Sequence, residues 1–138
     1  MNNQKNIVLC GVGGQGTVLA SKLLAAAAMS KDIPVMSAET IGMAQRGGSV
    51  FSHLRMGDNL YSPMIETGTA DLIIGFEPGE TVRMLPYLKD HGHIVVSTRA
   101  VKPVTATLSG SDYDAPQMLE YLKAAVPNLT LVNADQAC

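Results

Sequence analysis

Two glycine-rich segments hold the residue types that could do chemistry. The first, Gly11-Val12-Gly13-Gly14-Gln15-Gly16, satisfies G-x-G-x-x-G between the apolar run Asn6–Cys10 and an alanine-rich stretch of helical character. In that setting the first glycine is expected to permit a tight turn. The second lets a phosphate approach the backbone, and the third lets helix and strand pack closely. A helix N-terminus adds unpaired amides and partial positive charge, so a phosphate or carboxylate is the ligand it suits. No Lys-Ser/Thr pair follows Gly16, which excludes a Walker A loop. A dinucleotide would also want an acidic residue ending the second strand, about 20 positions on. Glu39 stands 23 residues after Gly16 and meets that spacing. The alternative without a ligand is a plain tight turn between strand and helix.

The second segment is Met43-Ala44-Gln45-Arg46-Gly47-Gly48-Ser49. Adjacent glycines after an arginine let the backbone approach a ligand or another surface, while Arg46 supplies a planar cationic fork. In open α/β sheets the ligand loops follow the carboxyl ends of strands. A loop after the second strand is therefore expected beside the Gly11–Gly16 turn. A solvated hairpin turn with an incidental charge is the alternative.

The elements that must position these loops follow from pattern. Asn6–Cys10, Pro34–Ala38, Asp71–Phe76, His93–Ser97 and Leu129–Val132 read as strands. Thr17 to about Met29, Gly79–Lys89 and Met118–Ala125 read as helices, with Pro86 predicting a kink or early end in the second. The first strand, first helix and second strand are expected to form a βαβ unit. Ser49–Arg55 is expected to be a further strand paired with Leu60-Tyr61-Ser62. The run Ala25–Ala28 shows no preferred face and suits close approach to a sheet. The predicted fold is α/β, Rossmann-like and doubly wound, a mainly parallel sheet with helices on both faces. Residues 1–138 read as a single domain, and Asn133–Ala137 as the beginning of a further helix that the chain lacks.

Composition excludes several classes. Of 138 residues 46% are hydrophobic and 16% charged, which provides a core and excludes a solvating chain. A formal charge of −2 speaks against nucleic acid or anionic membrane as a partner. No apolar run is long enough to span a bilayer. Nor does the N-terminal run carry the long apolar stretch of a secretory signal, so a cytoplasmic location is expected. Cys10 and Cys138 are too few for a disulfide framework or an iron–sulfur cluster. His91-Gly92-His93 reads as a polar turn rather than a metal site, Cys10 as a small buried hydrophobe, and Arg55 and Arg83 as solvated. Tyr61 with Ser62-Pro63-Met64 reads as an apolar patch for a partner.

The motifs together resemble a known family. Gly11–Thr17, Ala38-Glu39-Thr40, Gly42–Ser49, Tyr61-Ser62-Pro63, the aspartate-led strand from Asp71 and Glu77-Pro78 occur in the order and near the spacing of the gamma-type domain of 2-oxoacid:ferredoxin oxidoreductases, nearest its indolepyruvate branch. The resemblance implies a subunit, inactive alone, of an enzyme that oxidatively decarboxylates indolepyruvate or a related aryl pyruvate to an acyl-coenzyme A and reduces ferredoxin. Thiamine diphosphate, magnesium and iron–sulfur clusters are then expected on a partner catalytic subunit. This chain has neither the cysteines nor the diphosphate–magnesium motif, since Gly57-Asp58-Asn59 lacks its second glycine. Carried over by residue, Gly11, Gly13, Gly14, Gln15 and Gly16 would face cofactor or coenzyme A phosphates. Gln45, Arg46, Gly47 and Gly48 would form a second loop at the subunit interface. Glu39 would orient that loop or act as a strand-end cap, and Gly42 and Ser49 would be structural. An NAD(P)-binding module of Rossmann type is the competing reading.

Overall fold

The computed structural model describes residues 4–13, 16–40, 49–99 and 115–133. Six strands, β1 (Lys5–Val12), β2 (Val35–Thr40), β3 (Ser49–Met56), β4 (Ala70–Gly75), β5 (Leu88–Ser97) and β6 (Leu129–Val132), form one sheet in the order β2-β3-β1-β4-β5-β6. Three helices accompany them: α1 (Thr17–Ser30), α2 (Pro78–Arg83) and α3 (Ala115–Ala125). The predicted α/β architecture holds, with one change of topology. β1, β4, β5 and β6 pair in parallel, whereas β3 runs antiparallel to both β1 and β2.

That strand corrects two expectations. β1, α1 and β2 do not form a simple βαβ unit, because β3 is inserted between the parallel β1 and β2. Nor does β3 pair with Leu60–Ser62, which is not strand. Both edges of β3 are occupied: Leu9 and Glu39 each pair with Ser52, from β1 and β2 respectively. A strand has only two hydrogen-bonding edges, so no third partner can join.

The two faces of the sheet differ. On one, Val8, Cys10, Ile73, Ile94 and Val96 form a buried apolar core with Leu122 of α3 and Val126 just beyond it, and Val82 and Met84 pack on its rim. Alternation along β1 sends Leu9 to the other face, which carries α1 against β1, β2 and β3. α1 opens after Gly16, whose φ of 90° suits glycine. It ends at Ser30, and Asp32 just beyond is also left-handed at φ 57°, so that the amide of Ile33 donates to the Ala28 carbonyl at 3.0 Å in a Schellman closure. α2 ends at Arg83, and Leu85–Tyr87 forms one turn of 3-10 helix before β5 begins at Leu88. Pro86 has no amide to continue the helix, so the predicted break falls there. His91 and Gly92 lie inside β5 rather than in a turn, and His93 Nε2 sits 2.8 Å from Thr130 Oγ1 on β6. No helix among the described residues is long and apolar enough to cross a membrane.

Arg55 is not solvated as its charge alone suggested. Its guanidinium donates to Asn6 Oδ1 at 3.0 Å, the Ser62 carbonyl at 2.8 Å and Gln4 Oε1 at 3.2 Å, fastening the 57–69 segment to the start of β1. The same segment meets His53 of β3. The Ile65 amide donates to its Nδ1 at 2.9 Å, while the ring lies against Phe51 and Tyr87. Nδ1 is thus an acceptor, which places the ring proton on Nε2, a buried atom with no partner among the described residues.

Burial pushes the His53 pKa below its ordinary value near 6.5. The unfolded chain therefore binds the extra proton first, and the contribution of neutral His53 is full above that pH and lost as pH falls through it. Asp71 is also shifted. Desolvation raises its pKa, but hydrogen bonds from Lys89 and the Asn6 amide, with the Lys89 charge, hold it below the ordinary aspartate value. Its contribution is lost only below about pH 4. Chemical denaturation across pH should therefore show two separate losses, and His53→Asn should abolish the one beginning near 6.5. A second expectation concerns Gly75 at the end of β4, where a Cβ would lie 1.8 Å from Thr81 Oγ1. Gly75→Ala should cost about 1–3 kcal/mol of stability, read as a lower denaturation midpoint at an unchanged m-value, as overpacking does.

Candidate functional site at the carboxyl edge of the sheet

The register brings the described ends of the two glycine-rich segments to one edge. Val12, the last residue of β1, pairs with Ser49, the first of β3, and Thr40, the last of β2, pairs with Phe51. Gly13 and Gly16 on one side and both ends of the 41–48 connection on the other therefore meet at the same end of the sheet. Gly14, Gln15, Gln45, Arg46, Gly47 and Gly48 lie outside the described residues. Gly11 is buried within β1 opposite Val50, so the turn itself begins at Gly13. This corrects the expectation that Gly11 makes the turn: the β1 ladder runs on through Val12, paired along its whole length with β3.

Glu39 is half-buried in β2 and opposite Ser52, which is in turn opposite Leu9 of β1. It shares the α1 face but stands two strand spacings, about 10 Å, from β1. A dinucleotide ribose bridging a glycine turn and an acid needs the adjacent strand end. The insertion of β3 removes that adjacency.

α1 begins at this edge without a side-chain cap and without an acidic residue in its first turn. Thr17, its first residue, is 3% exposed, and among the described residues its Oγ1 finds no partner; nor do Ser21 Oγ one turn on and Ser52 Oγ on β3, both buried. Small hydroxyl residues let the helix approach the strand closely, at the cost of these three groups.

α2 closes the other side of the edge. Glu77, fully buried, caps it by accepting the Glu80 amide at 3.0 Å, with Pro78 at the first helical position. Thr81 Oγ1 donates to the Glu77 carbonyl at 2.7 Å and lies 3.9 Å from Cys10 Sγ. The Phe76 amide donates to the Cys10 carbonyl at 2.8 Å, joining the end of β4 to β1. Arg83 Nη1 then reaches Ser49 Oγ at 2.8 Å and stands 3.7 Å from Glu80 Oε2. The end of the 41–48 connection is thereby pinned to α2. Arg83 and Glu80 were not legible as site residues, and Ser49 only as structural. The signal present was Glu77-Pro78-Gly79-Glu80, a capping pattern, but nothing local announced a bond from Arg83 across 34 positions.

Cys10 is what its position suggested. Burial is the main cause pushing its thiol up to about 12; the Thr81 hydrogen bond opposes this, while Glu80 and Glu77 add to it. It is a thiol rather than a thiolate at neutral pH and thus a poor nucleophile there. Among the described residues no three His, Cys, Asp or Glu side chains come together as a metal site would require.

Comparison with known proteins decides the family. Residues 6–136 match the model described as pyruvate ferredoxin/flavodoxin oxidoreductase. The chain belongs to this family. It is 39% identical over 132 residues to the indolepyruvate oxidoreductase subunit IorB of Archaeoglobus fulgidus, covering 95% of this chain and 65% of that one. It is 29% identical over 126 residues to the common gamma subunit of the pyruvate/ketoisovalerate oxidoreductases of Thermococcus kodakarensis, covering 90% and 61%. Among solved structures, the gamma subunit of a keto/oxoacid ferredoxin oxidoreductase from Geobacter sulfurreducens superposes with a TM-score of 0.58 at 24% identity, covering 74% of this chain and 56% of that one. The last likeness supports the fold alone. The chain spans about two-thirds or less of the length of these relatives.

The orphaned hydroxyls give a stability expectation. Ser52→Ala removes a buried unpaired oxygen and should leave stability unchanged or raise it by up to about 1 kcal/mol. Arg83→Ala should instead cost about 0.5–1.5 kcal/mol, one net hydrogen bond. Urea midpoints of both variants against the parent test this contrast.

Proposed function

We propose that this chain is a subunit of a 2-oxoacid:ferredoxin oxidoreductase acting on indolepyruvate or a related aryl pyruvate, and that it works only with a catalytic subunit. The observation that carries the reading is that the start of the glycine turn, the two ends of the 41–48 connection and α2 meet at one sheet edge in a chain of this family. The reaction is oxidative decarboxylation to an acyl-coenzyme A with electrons passed to ferredoxin. Bound on the partner, thiamine diphosphate with magnesium would supply carbanion stabilisation, and iron–sulfur clusters would take the electrons. This chain's residues do not fit a cluster: its two cysteines are Cys10, held as a thiol, and Cys138.

They do fit an anion. The uncapped start of α1, the Thr17 hydroxyl and the glycines at 13, 14 and 16 with Gln15 would suit a phosphate of coenzyme A or of the partner's cofactor, with Gly11 behind them in β1. Gln45, Arg46, Gly47 and Gly48 would meet the catalytic subunit, with Arg46 pairing a phosphate or carboxylate. Arg83 would act as a positioning residue through Ser49, holding the end of that connection. Two strand spacings between Glu39 and β1 count against the NAD(P) alternative. A cytoplasmic site of action accords with this chemistry.

Co-expression with a thiamine diphosphate/iron–sulfur subunit of this enzyme class from the same genome tests the proposal. A stable complex should form and should reduce a viologen dye only with an aryl pyruvate and coenzyme A. Arg46→Ala should lower that rate at least about 10-fold. Full activity of the catalytic subunit without this chain, or tight NAD binding by this chain alone, would overturn it.

A further inference from the structure

The 57–69 segment is tied differently at its ends and in its middle. Its ends are held by groups that do not titrate near neutrality. Gln4 Nε2 donates to the Asp58 and Asn59 carbonyls at 2.8 and 3.1 Å, and Arg55 to the Ser62 carbonyl at 2.8 Å. At the far end the Gly68 amide donates to the Pro86 carbonyl at 2.9 Å, and Asn6 Nδ2 to the Thr69 carbonyl at 3.1 Å. Between these ties, Ile65 is 4% exposed and belongs to the core under α2 and α3. Among the described residues, the bond that fastens this middle stretch to the sheet runs from the Ile65 amide to His53 Nδ1, at 2.9 Å.

That acceptor can be lost to a proton. The His53 ring is 1% exposed and packs against Phe51 and Tyr87, with centroids 5.4 and 5.1 Å away. Its Nε2 is buried without a partner among the described residues. Uptake of a proton turns Nδ1 from acceptor to donor, so two N–H groups face each other at the Ile65 contact. Turning the ring over presents a C–H there, which restores nothing. The imidazolium would hold two buried donors and no acceptor, the costly state for a charge out of water. Its neighbours bring no relief. Tyr87 of the 3-10 turn meets the ring as a neutral phenol, and β1 and β2 set Val8 and Ala38 opposite it. Arg55, next on the same face of β3, is a cation already engaged by Asn6, Ser62 and Gln4, and Glu66 beside Ile65 is exposed.

We propose that His53 is an acid-sensitive clip, whose protonation frees residues 63–67 from the sheet while both ends of the segment stay tied. Tyr61 and Met64 are already 90% and 52% exposed, so release of Ile65 enlarges one apolar patch as the pH falls. The sign follows from burial, which holds the ring of the closed form below its ordinary pKa near 6.5. The opened form therefore takes up the proton first, and opening becomes easier from about pH 6.5 downward. None of this depends on the catalytic reading, because the segment leaves β3 at Met56, the opposite end from Ser49.

Amide hydrogen exchange of the full chain, followed by NMR at about pH 7.5 and about pH 5.5 and corrected for the intrinsic rate, tests the clip. Protection of the Ile65 amide should fall several-fold, up to about 10-fold, between the two. It should respond little to low urea, as a local opening does, whereas the Ile73 amide of β4 should follow urea as global unfolding does. His53→Asn, whose Oδ1 can accept the Ile65 amide but takes up no proton, should hold Ile65 protection constant across the same range. In the parent chain the imidazole ¹⁵N shifts report the ring proton directly and should titrate together with the release, so the test does not hang on the folding of the variant. Any of four results sinks the proposal: equal protection at both pH values, an equal fall in His53→Asn, a urea response at Ile65 as steep as at Ile73, or an imidazole titration that leaves Ile65 protected.

Discussion

The antiparallel insertion of β3 between β1 and β2 is the constraint on which the rest of the structure depends. Eight consecutive residues of β3 pair with β1 and six with β2. Side chains alternate between faces, so a slip of one residue would exchange every buried group on β3. Leu54 and Ser52 would leave the α1 face, and His53 would leave the pocket made by Phe51, Tyr87 and the Ile65 amide. The same register fixes where the connections emerge. It sets Val12 against Ser49 and so holds the glycine turn beside the end of the 41–48 connection, with α2 fastened there through Arg83.

The two faces follow different packing rules under that constraint. The face under α2 and α3 is an aliphatic core in which Val8, Ile73 and Ile94 align across three adjacent strands. Burial there is favourable at about 25 cal/mol per Å² and is the main source of stability. The α1 face holds Thr17, Ser21 and Ser52 instead, three buried oxygens that each cost rather than contribute. Close approach of helix to strand compensates in part through dispersion. This arrangement leaves the bulky residues of α1 on its outside, where only a further surface could bury them.

Much of this was legible in the sequence because it is local. Strand positions follow from short apolar runs, and the end of α2 follows from Pro86, whose missing amide acts wherever it stands. The pairing of β3 was not legible, because Ser49–Arg55 alternates as any half-buried strand does, and nothing in it names its neighbours. Topology likewise decided the standing of Glu39: its spacing from Gly16 met the dinucleotide rule, but the rule assumes an adjacent strand. The direction of α1 was hidden for a different reason. Four alanines in a row carry too little contrast to mark a face, and the inward side carries Thr17 and Ser21 rather than the large leucines. At the site, the glycine turn was legible from its letters, whereas the bond from Arg83 to Ser49 spans 34 residues and belongs to the fold.

What the described part of the edge can contribute chemically follows from its side chains. A proton-transfer group needs a pKa near the working pH and access to the reacting atoms. Cys10 fails on the first count at about 12, and on the second because it is 1% exposed. His53 titrates below its ordinary value, and it sits mid-strand in the core with its acceptor nitrogen occupied by a backbone amide. Glu77 spends its carboxylate capping α2. What the edge does offer is backbone amides at the start of a helix, a hydroxyl without a partner and a pinned connection. Among the described residues of this edge, then, the chemistry on offer suits the holding of charge and not the transfer of protons.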